Sequence, residues 1–390
     1  MSSGSPPIRE GSGTDPTPAE LILRLPYRLM ASSSIAHDNN PLLDELLGDS
    51  SKVRLIVFVD DGLAAAQPRF VKDLTRRLSV KAGWSGLHLL PGGERAKNDR
   101  AVFDGLIETL AGAGLCRHSY VVVAGGGAVL DVVGFAASMV HRGVRLIRIP
   151  STTLAQADSG VGVKNGINAY GQKNFLGTFA VPDAVVLDPT LLESLTPRDW
   201  RCGLSEVVKV ALLKDADLFQ AIERFVGDHP SDRVAAQPLW LRSAELHAQH
   251  VLNSGDPFEL TSARPLDLGH WSAHQLEVMS SYRLRHGEAV SLGLALDTII
   301  SQLVGVLEPA TAERIIRCLD ATGLPVFDDL LLDTGRLLEG LDRFRQHLGG
   351  VLSIPLIHGV GDCRAVSSID TPTIHEAVNL LAQREVSHAV

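Results

Sequence analysis

With 390 residues, 45% hydrophobic and 21% charged, the chain has the composition of an ordinary soluble globular protein. It is long enough for two domains, since single cores rarely extend beyond ~250 to 300 residues. A net charge of -9 argues against a surface for nucleic acid or anionic membrane, so any functional positive charge must be gathered locally, for a small anion. Cys116, Cys202, Cys318 and Cys363 are scattered without C-x-x-C spacing, which suggests neither a disulfide scaffold nor a sulfur-ligated zinc site.

Residues 1–20 are rich in Ser, Gly, Pro and Thr and read as a disordered tail, neither a signal peptide nor a membrane anchor. No later run of ~20 apolar residues appears, so a cytoplasmic protein is expected. Arg54 to Gly62 is an apolar, β-branched run ending on Asp60 and Asp61, the pattern of a buried parallel strand and a tight turn. Asp60 at its carboxyl end could accept hydrogen bonds from a ribose diol; a plain turn Asp explains it as well. A helix over Pro68 to Leu78 and a strand over Gly86 to Leu90 follow. Then comes Pro91-Gly92-Gly93-Glu94-Arg95-Ala96-Lys97, where the glycines admit close backbone approach and Glu94 and Lys97 fall on the opening turn of a helix.

Tyr120 to Asp131 is the clearest strand signal, running through Gly125-Gly126-Gly127 into a helix at Val132 to Met139. Strand, glycines and helix are what a pyrophosphate needs: no side chains in its path, and free N–H groups with a partial positive charge at the helix start. The spacing is not G-x-G-x-x-G, and a structural turn is a near rival. Arg145 to Pro150 reads as a short strand closed by Ser151, Thr152 and Thr153, whose hydroxyls could face the same ligand.

Asp158, Lys164, Asn168, Lys173 and Asn174 then punctuate a stretch of small residues. Lysines in a glycine-rich, partly buried setting need an anionic partner, which a phosphate would supply; a solvated loop with two ordinary lysines is the alternative. After a last strand at Val185 to Asp188, helical periodicity takes over from Leu191, placing the boundary between an α/β domain over 21–190 and a helical domain over 191–390. Helices are expected at Trp200 to Leu213, Asp217 to Phe225, Leu239 to Leu252, His270 to Met279, Glu288 to Gly305 and Ala310 to Ala321.

Glu206, His270 and His286 are one carboxylate and two imidazoles on distant helical segments, a ligand set that leaves a zinc ion with open positions. His270 and His274, four apart, project from one helix face, and His286 just before the next helix can reach back to the same point. A lone His on a helix is more often packed than metal-bound, so the argument rests on the set.

With these motifs laid out, the chain resembles the sugar phosphate cyclases, the superfamily of 3-dehydroquinate synthase and the C7-cyclitol, valiolone-type synthases. The shared motifs are Pro91-Gly-Gly-Glu, Gly125-Gly-Gly with Asp131, Arg142-Gly143, Pro150 to Asp158, Lys164, Lys173-Asn174, Glu206 to Lys209, Gly269-His270 and His286-Gly287. The resemblance implies a Rossmann-like parallel-sheet NAD domain followed by an all-helical metal domain. It implies zinc, with cobalt as an alternative, on Glu206, His270 and His286. NAD would lie along Asp60, Glu94, Lys97, Gly126, Gly127, Asp131, Ser151 and Thr152. Lys164, Lys209, Asp158 and His274 would be catalytic, with Arg142, Lys173, Asn174, Arg264 and Asp267 on the substrate and its phosphate. Arg142 would reach the neighbouring subunit of a homodimer. The implied reaction is transient oxidation, phosphate elimination, reduction and intramolecular aldol closure, with no net redox change.

The chain departs from dehydroquinate synthase where that branch grips a carboxylate. Ala263 replaces an Arg, Arg264 lies one place later, His247 stands in the place of a Lys, and Asp267 replaces an Asn. An acidic group there repels a carboxylate substrate, and Asp267 with Arg264-Pro265 before it resembles the cyclases that use neutral-headed sugars such as sedoheptulose 7-phosphate. His274 is instead retained as in dehydroquinate synthase. Arg345 and His347 stand where a Lys-rich segment is expected. Dehydroquinate synthase itself, a zinc polyol dehydrogenase of the same fold and a non-catalytic binding descendant are the alternatives.

Overall fold

The computed structural model describes residues 25–48, 54–253, 258, 265–348, 350 and 352–388; the tail expected over 1–20 and Arg264 lie outside the described residues. The first half runs β1 (Leu29–Ala31), α1 (Leu42–Leu47), β2 (Leu55–Asp60), α2 (Asp61–Ala66), α3 (Pro68–Ser79), β3 (Trp84–Leu90), α4 (Arg95–Asn98), α5 (Arg100–Gly112), β4 (Tyr120–Gly125), α6 (Gly127–Met139) and β5 (Arg145–Pro150). A π turn at Ala155–Ser159 leads into the hairpin β6 (Lys164–Ala169) and β7 (Gln172–Phe179), then β8 (Ala184–Leu187). Among the described residues, six strands form a parallel sheet in the order β1-β8-β5-β4-β2-β3.

Helices cover both faces of this sheet, so β2 from Leu55 to Val59, β4 and β8 are apolar in near-continuous runs rather than alternately, while β5 carries the buried Arg148. Leu55, Val57 and Val122 enter one core, and Ile56, Phe58, Val121 and Val123 the other. From β2 the chain continues to β3 on one side and later to β4 on the other. That reversal opens a crevice beyond the carboxyl ends of β2 and β4, the place where open α/β sheets hold ligands.

The second half is α7 (Pro197–Lys214), α8 (Ala216–Asp228), α9 (Gln237–Asn253), α10 (His270–Met279), α11 (His286–Leu303), α12 (Pro309–Ala321), α13 (Thr334–His347), the hairpin β9 (Ile354–Gly359) and β10 (Asp362–Val366), and α14 (Thr371–His388). The architecture is the expected Rossmann-like domain plus helical domain, with one antiparallel hairpin added to the helical part. Helix α11 is buried along nearly its whole length, as a helix apolar on all sides must be. Two glycines bring its neighbours unusually close. A Cβ on Gly287 would lie 2.1 Å from the Cys202 carbonyl oxygen of α7, and one on Gly293 would lie 2.0 Å from that of Gly269 at the start of α10. These contacts fix where His286, His270 and Glu206 stand. No described helix is long and apolar enough to cross a membrane.

Candidate active site

Glu206 is buried in the middle of α7, His270 opens α10 and His286 opens α11. Their ligand atoms all lie within 4.8 Å of one another. His286 Nε2 stands 3.3 Å and His270 Nε2 3.6 Å from the same Glu206 Oε1. The other ring nitrogens are engaged: His270 Nδ1 is 3.0 Å from the Leu268 carbonyl oxygen, and His286 Nδ1 is 3.1 Å from Glu277 Oε2. An Nδ1–H donated to each acceptor leaves both Nε2 lone pairs facing a carboxylate.

Lone pairs facing lone pairs are unfavourable unless a cation or proton sits between them. Neither Glu206 oxygen accepts an aligned hydrogen bond, although both are buried. Lys209 Nζ, 2.6 Å from Oε2, makes an ion pair at close range without that alignment. Burial works against ionisation of Glu206, yet Lys209 outweighs it and holds the carboxyl down at about 2. Burial, then Lys209, pushes His270 below its usual value, keeping it neutral as a metal ligand must be. His286 goes up to about 9, because Glu277 and Glu206 together overcome its burial. The donor set therefore fits a divalent cation, which would replace that proton.

Around this triad, Lys209 also lies 3.4 Å from Asp158 Oδ1, and Asp158 lies 2.7 Å from His247 Nδ1. Burial would raise Asp158, but Lys209 and His247 hold it well below the usual carboxylate range. His274, on the same face of α10 as His270, stacks at 6.0 Å from the His286 ring, and burial followed by Lys173 keeps it neutral. Asp267, in the turn before α10, adds negative charge felt by Lys209 and His270.

The expected cofactor residues gather at the crevice. Gly126 caps α6 without any side-chain cap bond, leaving the helix start open to a ligand. A Cβ on Gly127 would meet Ser159 Oγ at 2.6 Å and one on Gly126 would meet Thr152 at 3.2 Å, so a side chain at either glycine would crowd the residues packed against the turn. Ser151 N donates to the Gly125 carbonyl oxygen at 2.9 Å, tying the next strand's end to the same turn. Asp60 accepts from Gly62 N and Leu63 N at 2.8 and 3.2 Å, and burial raises its pKa. With Asp61, Gly92, Gly93 and Arg95 it lines an open cleft of about 460 Å³, to which Asp199 and Arg285 contribute from the helical side. Lys97 is buried, pairs with Asp131 at 2.6 Å and donates to Asn174 Oδ1.

Lys173 has protein partners for its buried charge. Its Nζ lies 2.7 and 2.9 Å from the two oxygens of Glu277 and 3.3 Å from Glu94 Oε1, so a phosphate is not needed to explain its burial. Burial would raise Glu94, but Lys173 and Lys97 together hold it below the usual range. Lys164 and Asn174 are exposed on the β6–β7 hairpin. Arg142 is exposed on a left-handed turn past the end of α6, roughly 20 Å from Gly127 by helical rise, and is not gathered with the others.

Sequence reasoning missed Glu277 and the cleft residues Asp199 and Arg285. Glu277 was accessible to it, since His270, His274 and Glu277 fall on one helix face at four and seven residues' spacing. Arg148 was missed too. It is fully buried, and its guanidinium donates to the Gly160, Gly162 and Lys164 carbonyl oxygens and to Asn165, holding the turn that carries Asp158 and Lys164.

Residues 87–202 match the 3-dehydroquinate synthase N-terminal family and residues 203–343 the 3-dehydroquinate synthase C-terminal family. A 2-epi-5-epi-valiolone synthase of Streptomyces glaucescens is 33% identical over 367 residues, covering 92% of this chain and 92% of that one. The chain belongs to the 3-dehydroquinate synthase family of sugar phosphate cyclases. A 3-dehydroquinate synthase of Sinorhizobium medicae is also 33% identical, over 85% of this chain and 87% of that one, so identity alone does not separate the branches of the family. Among solved family structures, a 2-epi-5-epi-valiolone synthase from Streptomyces hygroscopicus subsp. jinggangensis, 27% identical, aligns with a TM-score of 0.82 over 94% of this chain and 99% of that one. That protein has NAD+ and Zn2+ bound.

Proposed function

We propose that this family member binds NAD and zinc and cyclises a phosphorylated ketose, sedoheptulose 7-phosphate in the first instance, to a C7 cyclitol of the valiolone type. The observation that carries the reading is the Glu206, His270 and His286 cluster with its unsatisfied carboxylate, joined to the nucleotide side by the Glu94–Lys173–Glu277 ion pairs. When bound, NAD would take a hydride and return it, and zinc would polarise the hydroxyls of the sugar.

The protein's own groups supply the rest. Lys209, protonated despite burial because Asp158 and Glu206 outweigh the cost, offers a positive charge beside the cation site. The His247–Asp158–Lys209 line offers a route for a ring proton, and neutral His274 can accept one. Lys164 and Asn174, with Arg142 from a second subunit, are the proposed phosphate holders, which makes a homodimer part of the proposal. Lys173 would act with them through its position rather than as a free cation. Asp267 favours a neutral hydroxyl-bearing head over a carboxylate by like-charge repulsion, and this supports the valiolone-type branch over dehydroquinate synthase.

The test is incubation of the purified protein with zinc, NAD and a panel of sugar phosphates, following phosphate release and identifying the product. Release from sedoheptulose 7-phosphate with a cyclic C7 product is expected. Release confined to the carboxylate-bearing substrate of dehydroquinate synthase would overturn the substrate assignment. Net NADH formation from an unphosphorylated polyol would overturn the cyclase.

A further inference from the structure

Glu277 lies on α10 with its side chain almost wholly buried, between the cation cluster and Lys173. Its Oε2 is 3.1 Å from His286 Nδ1, and both of its oxygens take the Lys173 ammonium, at 2.7 and 2.9 Å. A carboxylate in that position decides which His286 nitrogen carries the proton and how far the ring can rotate. Its own burial is tolerated because two partners share its charge.

Resting on the cation reading of Glu206, His270 and His286, we propose that Glu277 is the positioning carboxylate of that site. It holds His286 as the Nδ1–H tautomer with Nε2 turned to the cation, and ties that ligand through Lys173 to Glu94 beside the nucleotide crevice. A second arrangement is available to the same atoms. The ligand atoms of His274, Glu277 and His286 also lie within 4.8 Å of one another and could in principle take a second ion. Lys173 decides against it: its ammonium already sits on both Glu277 oxygens, and a divalent cation placed there would face that charge directly. Glu277 therefore works through His286 and touches no ion itself.

The test compares metal-free wild type, Glu277→Gln and Glu277→Leu by chelator competition for zinc and cobalt, by the visible spectrum of the cobalt form, and by ions bound per chain. Gln keeps an oxygen for the Nδ1–H but loses the charge, so about a 10-fold weaker affinity with a near-normal cobalt spectrum is expected. Leu loses both, and about a 100-fold loss with a changed spectrum is expected. If Leu does not fold, Gln alone carries the comparison. Unchanged affinity in the folded variants, or two ions bound per wild-type chain, would overturn the proposal. A wild type that binds no divalent ion would instead sink the cation reading beneath it, so the two failures are distinguishable.

Discussion

Replacing Gly287 by alanine adds a methyl group where α11 crosses α7. The new Cβ would lie 2.1 Å from the Cys202 carbonyl oxygen and 2.6 Å from its Cα, both backbone atoms that cannot rotate away. Ordinary contact needs ~3.5 Å, so the start of α11 must retreat by roughly 1 Å. Alanine in a helix otherwise gains up to about 1 kcal/mol over glycine, while forced overpacking of this kind costs about 1 to 3 kcal/mol, so the steric term wins. His286 is the adjacent residue, and a metal ligand tolerates a displacement of only about 0.2 Å. Gly287→Ala is therefore expected to lower Tm by roughly 2 to 10 °C and to weaken zinc binding, read by thermal unfolding with and without zinc and by chelator competition. Gly227→Ala is the matched control, since nothing lies within 4 Å of its added methyl group, and should be neutral or slightly stabilising. Wild-type Tm and zinc affinity in Gly287→Ala would refute the claim that this crossing sets the ligand's position.

Lys209→Met removes the buried ammonium that lies 2.6 Å from Glu206 and 3.4 Å from Asp158, leaving two carboxylates with only the neighbouring imidazoles of His286 and His247 to offset them. A loss of about 3 to 5 kcal/mol in denaturant unfolding of the metal-free protein is expected, with part of it recovered on adding zinc. Asp297 is buried on α11 and accepts from Gly269 N at 2.7 Å and Trp271 Nε1 at 2.9 Å, bracketing His270. Burial pushes its carboxyl from 3.8 up to about 7, so the folded state holds that proton more tightly than the unfolded chain. Its contribution to stability is then greatest at low pH and falls as pH rises through that window to about 7. Asp297→Asn should be less stable than wild type at low pH, with the gap narrowing as pH rises. A gap that widens over the same range would contradict the assignment.

The sheet was legible because strands such as Tyr120 to Gly125 are apolar at every position, a pattern that only burial on both faces requires. The cluster of Glu206, His270 and His286 was legible because one carboxylate and two imidazoles on distant helical segments make a zinc ligand set and fall within motifs shared with the family. The hairpin of β6 and β7 was read only as a stretch of small residues. Its turn places Tyr170 and Gly171 at φ 52° and 70°, a geometry usually marked by Asn-Gly, and tyrosine gives no such signal. Helix α6 begins at Gly127, earlier than expected at Val132, because a helix start shaped for an anion begins on the glycines themselves. The partners of Lys173 were not legible, because Glu94 and Glu277 lie far from it in sequence and only the packed fold brings them to one ammonium.

The most direct measurement is anomalous diffraction at the zinc edge from crystals grown with zinc and NAD. The account predicts one peak per chain, within coordination distance of a Glu206 oxygen and the Nε2 atoms of His270 and His286, with the dinucleotide in the crevice beyond β2 and β4. A peak elsewhere, or none with these three side chains turned apart, would contradict it.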